Sequence, residues 1–183
     1  MMQFSHALFD TPVGRCGILW SEAGIVGVQL AERSDAATRS RLLRRSPPSR
    51  EAPVSGEAER AVAGIARLLS GEPIDLLDIS VDLQGVPAFD RLVYEAARQV
   101  RPGRVTTYGD IARQIGEPDA AREVGRALGA NPIAIIVPCH RIVAAGGRLG
   151  GFSANGGQVT KRRLLEIEKA RMSDLPDLFD AER

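Results

Sequence analysis

An α+β fold in two parts is what this sequence of 183 residues predicts. A small β-sheet with helices is expected first, then a helical half that carries a helix-turn-helix. Three observations predict it: alternating apolar stretches in the first thirty residues, apolar residues at helical spacing through the second half, and basic charge gathered in that same half. At 44% hydrophobic and 26% charged residues, the composition is that of a globular protein with room for a core. No apolar run approaches a membrane span. The opening MMQFSHALFDTPVG lacks the basic-then-apolar order of a secretory signal.

In the first half, Gly17-Ile18-Leu19-Trp20 and Ile25-Val26-Gly27-Val28-Gln29-Leu30 are separated by Glu22-Ala23-Gly24 and predict a hairpin or meander. Residues 35–45 predict a helix with a basic end. RSPPSREAPVSG, 45–56, predicts a linker or mobile loop because Pro and Ser dominate and nothing apolar repeats. Ala58, Val62, Ile65 and Leu69 mark a helix over 57–70 that Gly71 stops. Leu76 to Leu83 is expected to be a strand. Gln84-Gly85-Val86-Pro87 sets a boundary, giving domains 1–84 and 85–171 and an acidic tail, 172–183.

In the second half, Phe89, Leu92, Val93, Ala96 and Val100 define one helical face, ended by Arg101-Pro102-Gly103. Ile111 and Ile115 form one i,i+4 pair, and Val124 and Leu128 form another. Gly116-Glu117-Pro118-Asp119 stops the first of these helices and starts the second, with acids near the positive helix end. So tight a turn between short helices fits a helix-turn-helix, and equally an ordinary helical hairpin. A last helix is expected over Lys161 to Ala170. Residues 98–171 hold 13 basic against 6 acidic residues, whereas 1–97 hold 10 against 13. A positive field of that kind favours phosphate backbones or other anions, or is simply a solvated surface.

The chemistry concentrates in NPIAIIVPCHRIV, 131–143, where a strand-like apolar run delivers Cys139 beside His140 and Arg141. A thiol titrates near ~8.5, and basic neighbours or hydrogen bonds lower it. Adjacent side chains do not automatically meet, so His140 helps only through a turn or a bridging water. Pro138 fixes the backbone, and Asn131 can hydrogen-bond the turn that presents the sulfur. The competing reading is a small buried cysteine at a strand end. GGRLGGFSANGG, 146–157, lacks the GKS/T of a phosphate loop and reads as a hairpin, or beside a reactive thiol as a pocket wall. Cys16 and Cys139 are too few for a disulfide framework, so a reduced, cytoplasmic setting is expected. With only His6 and His140 and no CxxC spacing, no metal site and no cofactor are expected.

PCHR at 138–141, TYGDIA at 107–112, AAREVG at 120–125, NP at 131–132 and KRRLLEIE at 161–168 together resemble the O6-alkylguanine-DNA alkyltransferase family. The match runs closely over roughly 85–168, in the family's order. The N-terminal half is similar only in its strand–helix pattern and TPVG opening. The resemblance implies a ribonuclease-H-like structural domain first, then an active domain with a winged-helix-like helix-turn-helix. It implies a monomer acting on double-stranded DNA that contains O6-alkylguanine, with no membrane partner. O4-methylthymine is raised as a second substrate.

By the same resemblance Cys139 is the nucleophile that keeps the alkyl group as a thioether. His140 deprotonates it through a water, and Glu168 orients the histidine. Of Glu166 and Glu168 only one is expected to point inward, and the motif favours Glu168. Tyr108 donates to guanine N3, while Asn131 supports the cysteine turn. The target nucleotide leaves the duplex, Arg122 fills the gap, and small residues including Ala121 and Ala127 let the second helix approach the minor groove. Ile142, Phe152 and Ser153 wall the base pocket, through the Ile142 carbonyl and the Ser153 hydroxyl. Phe152 stands where many relatives carry Tyr, which removes one polar contact. Lys161 tethers the loop, and Arg141 is placed with it among the substrate and DNA contacts. Three rivals remain: a damage-binding module without transfer, a sequence-reading regulator, and a cysteine hydrolase. Cys139 argues against the first.

Overall fold

The computed structural model describes residues 3–44 and 46–170, so the acidic tail assigned to 172–183 lies outside the described residues. The chain forms two compact units. One runs up to Gly85 and takes in Pro132–Ile136; the other comprises Val86–Asn131 and the chain from Val137 onward. The return of five residues to the first unit was not anticipated from the sequence.

The first unit is a four-stranded sheet in the order β3-β2-β1-β4. β1 (Phe4–Thr11), β2 (Gly14–Ser21) and β3 (Gly24–Gln29) form an antiparallel meander closed by two-residue turns at Pro12-Val13 and Glu22-Ala23. α1 (Asp35–Leu43) and α2 (Glu57–Leu69) pack on this sheet. Ile18, Ile25, Ala61 and Ile65 lie fully buried in the core. Part of the expected 45–56 linker is instead β4 (Ser49–Glu51), which runs parallel to β1 at the sheet edge. Pro47 and Pro48 precede it, and an edge is where a strand tolerates adjoining prolines. His6 Nδ1 and Ser49 Oγ meet at 2.9 Å across the pair.

The expected strand from Leu76 to Leu83 is absent, apart from a single bridge between Ile25 and Val81. Leu76 and Ile79 are both buried, and Ile79 N donates to Leu76 O. Their spacing of three belongs to a turn, not to the alternation of a strand. The run 133–137 is not a strand either. Ile133 bridges Val28 once, in parallel, and the chain then turns.

The second unit is mainly helical. α3 (Ala88–Arg98) buries Val93, Tyr94, Ala96 and Ala97, while Leu92, expected on the inner face, is 48% exposed. Tyr94 takes the inward position and donates its hydroxyl to Ala127 O at 2.9 Å. β5 (Thr106–Thr107) pairs in parallel with β6 (Ile142–Val143). α4 (Tyr108–Gln114) follows directly, its first turn held by a reciprocal cap between Thr107 and Asp110. α5 (Ala121–Gly129) packs on α3 and α4 through Val124, Ala127 and Leu128. Two short helices joined by residues 115–120 thus make the expected helix-turn-helix. α6 (Gln158–Ile167) turns Leu164 and Leu165 inward. No helix among the described residues is long and apolar enough to cross a membrane.

Candidate active site

Two successive γ-turns deliver Cys139. In the first, Ile136 N donates to Ala134 O at 2.9 Å around Ile135, whose φ is +71°. That is the rare, strained hand of γ-turn, and for a β-branched residue it costs on the order of 1–3 kcal/mol. In the second, Cys139 N donates to Val137 O at 2.9 Å around Pro138, with φ −82° and ψ 65°. Here the turn has the common hand, and proline holds its φ. Asn131 Nδ2 donates to the same Val137 carbonyl at 2.9 Å, closing the base of the turn. Cys139 then opens a 3₁₀ turn through Arg141.

The sulfur sits among opposing influences. Burial pushes the Cys139 thiol up, while the Asn131 side chain, the Lys161 ammonium and the backbone N–H groups of Cys139 and His140 pull it down. Burial prevails. Of the sequence neighbours expected to lower the thiol only the His140 backbone N–H contributes, and the resting group is the protonated thiol.

His140 is 1% exposed, and its Nε2 lies 2.9 Å from Glu168 Oε1. Glu168 also receives Arg141 Nε on Oε2 and Nη2 on Oε1, each at 2.8 Å. These contacts with His140 and Arg141 outweigh burial and hold the Glu168 carboxyl down at about 2, so it is ionised at neutral pH. A carboxylate only accepts, so Nε2 carries the imidazole proton. Burial depresses the His140 pKa, which keeps the ring neutral. Nδ1 therefore retains its lone pair, and this buried nitrogen has no hydrogen-bond partner. A base of fixed tautomer results, with its free nitrogen unspent.

Cys139 opens on a cavity of about 990 Å³, at the upper end of ligand-pocket sizes (~300–1,000 Å³). α4 and α5 contribute Tyr108, Ala121, Arg122 and Gly125 to its lining; the glycine-rich segment contributes Phe152 and Ser153. Lys161, with no exposed surface, donates to Ile142 O at 2.6 Å and Gly151 O at 3.3 Å, and its Nζ lies 3.5 Å from the Tyr108 hydroxyl. Burial brings its pKa down to about 8. Burial, and secondarily the Cys139 sulfur, raises that of Tyr108, so the phenol keeps its proton. Gly150 lies against the same ring. A Cβ there would come within 2.8 Å of the Tyr108 hydroxyl, and its φ is +73°.

Cys139, Tyr108, Ala121, Arg122, Phe152 and Ser153 therefore share one cavity, with His140, Glu168 and Asn131 built in behind Cys139. Three expectations are corrected. Arg141 is 4% exposed, with its guanidinium spent on Glu168 and on Val100 O at 2.6 Å, so it cannot reach DNA. Lys161 is wholly buried and ties backbone, leaving no substrate or DNA contact for it. Ala127 faces inward with Val124 and does not line the cavity; the small residues of α5 that do are Ala121, Gly125 and Gly129. Ile142 is fully buried, and its carbonyl already accepts from Lys161. Glu166 points outward and Glu168 inward, as expected. The 146–157 segment expected as a pocket wall does line the cavity through Arg148, Phe152 and Ser153, although neither Arg148 nor Gly150 was singled out within it. The wall at Ala144 and Ala145 was missed, and nothing local marked it.

Residues 88–170 match the family described as 6-O-methylguanine DNA methyltransferase, DNA binding domain. A methylated-DNA–protein-cysteine methyltransferase of Mycobacterium tuberculosis is 42% identical over 154 residues, covering 82% of this chain and 91% of the relative. One of the same name from Haemophilus influenzae is 34% identical over 169 residues, covering 92% and 88%. The crystal structure of Mycobacterium tuberculosis OGT in complex with DNA superposes with a TM-score of 0.74 at 33% identity, covering 93% of this chain and 98% of that one.

Proposed function

The chain belongs to the methylated-DNA–protein-cysteine methyltransferase family, and from that premise we propose that it reverses DNA alkylation directly, taking the alkyl group from guanine O6 onto Cys139. The observation that carries this reading is the position of Cys139, which opens on a cavity wide enough to admit a purine, in front of a neutral histidine of fixed tautomer.

The resting thiol is ionised on demand. Its proton passes toward His140 Nδ1 through a bridging water, while Glu168 holds the ring and stabilises the imidazolium that forms. The thiolate attacks the alkyl carbon; the S–C bond forms as the C–O6 bond breaks, and the electron pair leaves with guanine. Tyr108 offers a proton to N3, so a neutral base departs. The product is a thioether, and each molecule acts once.

The target carbon lies inside the duplex, so the nucleotide must rotate out, and Arg122 takes the place it vacates. Arg122 is suited to this role: it is exposed in the first turn of α5 and makes no ion pair with a described residue. Phe152 and Ser153 line the base, the first by stacking and the second by donation toward O6. Arg141 and Lys161 act as positioning residues, on Glu168 and on the 150–153 segment. The N-terminal unit serves as a structural domain, its strand order and parallel β4 supporting a ribonuclease-H-like assignment. A reduced thiol nucleophile fits a monomer working in the cytoplasm.

Intact-mass measurement after incubation with O6-methylguanine DNA tests the reading. One methylene equivalent should appear on the peptide holding Cys139, and none in Cys139→Ser. A regulator would bind undamaged DNA equally well and gain no mass. A hydrolase would turn over repeatedly.

A further inference from the structure

Among the arginines lining the cavity, Arg113 is neutralised by Asp110 one helical turn away, and just beyond the rim Arg126 is held by Glu123 at 2.7 Å. Two exposed guanidinium groups on the lining keep their charge: Arg122, and Arg148 on the other wall-forming segment. Neither makes an ion pair with a described residue.

Arg148 is also firmly placed. Ala144 N donates to Arg148 O at 2.8 Å, closing a tight turn that passes through Gly146 and Gly147 at φ +70° and +74°. Leu149, next in the chain, is 6% exposed and anchors the turn. Arg148 Nε reaches back to Ala145 O at 3.4 Å, which leaves both terminal nitrogens free. A fork of N–H donors fixed at the mouth of a cavity suits a phosphate, which a guanidinium binds in bidentate fashion.

We propose that Arg148 grips the backbone phosphate of the everted nucleotide, holding it while its base lies at Cys139. This rests on the transfer reading above and adds a substrate contact to it. With its base reaching in to Cys139, the nucleotide keeps its charged phosphate toward solvent, where Arg148 is exposed on the lining. Arg122 and Arg148 then divide the work. The first compensates the duplex for a missing base, and the second holds what has left it.

Three substrates separate these roles: duplex O6-methylguanine DNA, the same strand unpaired, and free O6-benzylguanine. Relative to its rate on the free base, Arg148→Ala should lose about tenfold on both oligonucleotides, the scale of one charged hydrogen bond. The salt dependence of its duplex binding should weaken by about one unit of slope. Arg148→Lys should recover most of the loss, because a point charge still meets a phosphate. Arg122→Ala should lose on the duplex far more than on the single strand. An Arg148→Ala loss confined to the duplex would assign the residue to eversion instead and overturn the proposal. An equal loss on all three substrates, or none, would overturn it too. If wild type transferred to Cys139 from no substrate, the transfer reading itself would fail, which is a separate outcome.

Discussion

At the residue scale, the proposed transfer depends on keeping one nitrogen unprotonated and one thiol protonated until substrate arrives. His140 is depressed by burial and Cys139 is raised by it. Transfer to free O6-benzylguanine should therefore fall on acidification, with a midpoint below the ordinary histidine value of about 6.5. In Glu168→Gln the carboxylate that favours the imidazolium is gone. The acid limb should move to still lower pH while the plateau rate drops, because the tautomer is no longer imposed. A limb that stays in place would mean that His140 does not feel Glu168. On the alkaline side, His140→Ala should retain a weak rate that rises with pH above the normal thiol range. A flat residual rate would argue that ionisation of Cys139 is not what limits it.

At the scale of elements, the glycine-rich segment and α5 hold Tyr108 between them with unequal tolerance. A Cβ at Gly125 would lie 3.9 Å from the ring, an ordinary contact, whereas at Gly150 it would overlap the hydroxyl. Gly125→Ala should leave the fold and transfer nearly intact. Gly150→Ala should destabilise by about 1–2 kcal/mol through its left-handed backbone alone and displace the phenol as well. Equal effects of the two on urea midpoint and transfer rate would contradict this geometry. Lys161→Met keeps the buried volume but removes the bonds to Ile142 and Gly151, so amide exchange in 150–153 should quicken. Unchanged exchange there would deny the tether. Helices were legible in the sequence because their periodicity is local, as in 57–69 and 121–129. The run 133–137 misled because apolar content cannot distinguish a strand from a buried turn, and only the φ of Ile135 reveals which it is.

At the scale of the molecule, a buried ion cluster links the acid side of stability to the site. Glu168 titrates at about 2 in the folded chain, below its ordinary 4.5. A depressed carboxyl stabilises the fold fully above its unfolded value, and that contribution is lost as pH falls from about 4.5 toward about 2. Glu168→Gln should cost about 3–5 kcal/mol at neutral pH, since Arg141 is left charged and buried without a counter-ion. It should also flatten the acid limb of stability, as measured by urea unfolding across pH. An acid limb as steep as wild type's would place the linkage elsewhere. Ile133, fully buried in the first unit, should cost about 2–5 kcal/mol as Ile133→Ala, although its segment leads to Cys139.

The sequence alone supplied the candidate reagents of the proposed chemistry: a cysteine beside a histidine, a phenol, a glutamate on the last helix and an arginine on the second helix of a helix-turn-helix. Those are properties of residue type and short-range order. Tertiary structure decided their state and their division of labour. Arg141 became a buried support for Glu168, 27 positions away, and burial outweighed Asn131, Lys161 and the backbone N–H donors at the thiol. Five residues left one unit for the other in mid-chain. Desolvation and long-range pairing depend on which distant atoms close around a group, and no window of sequence contains them.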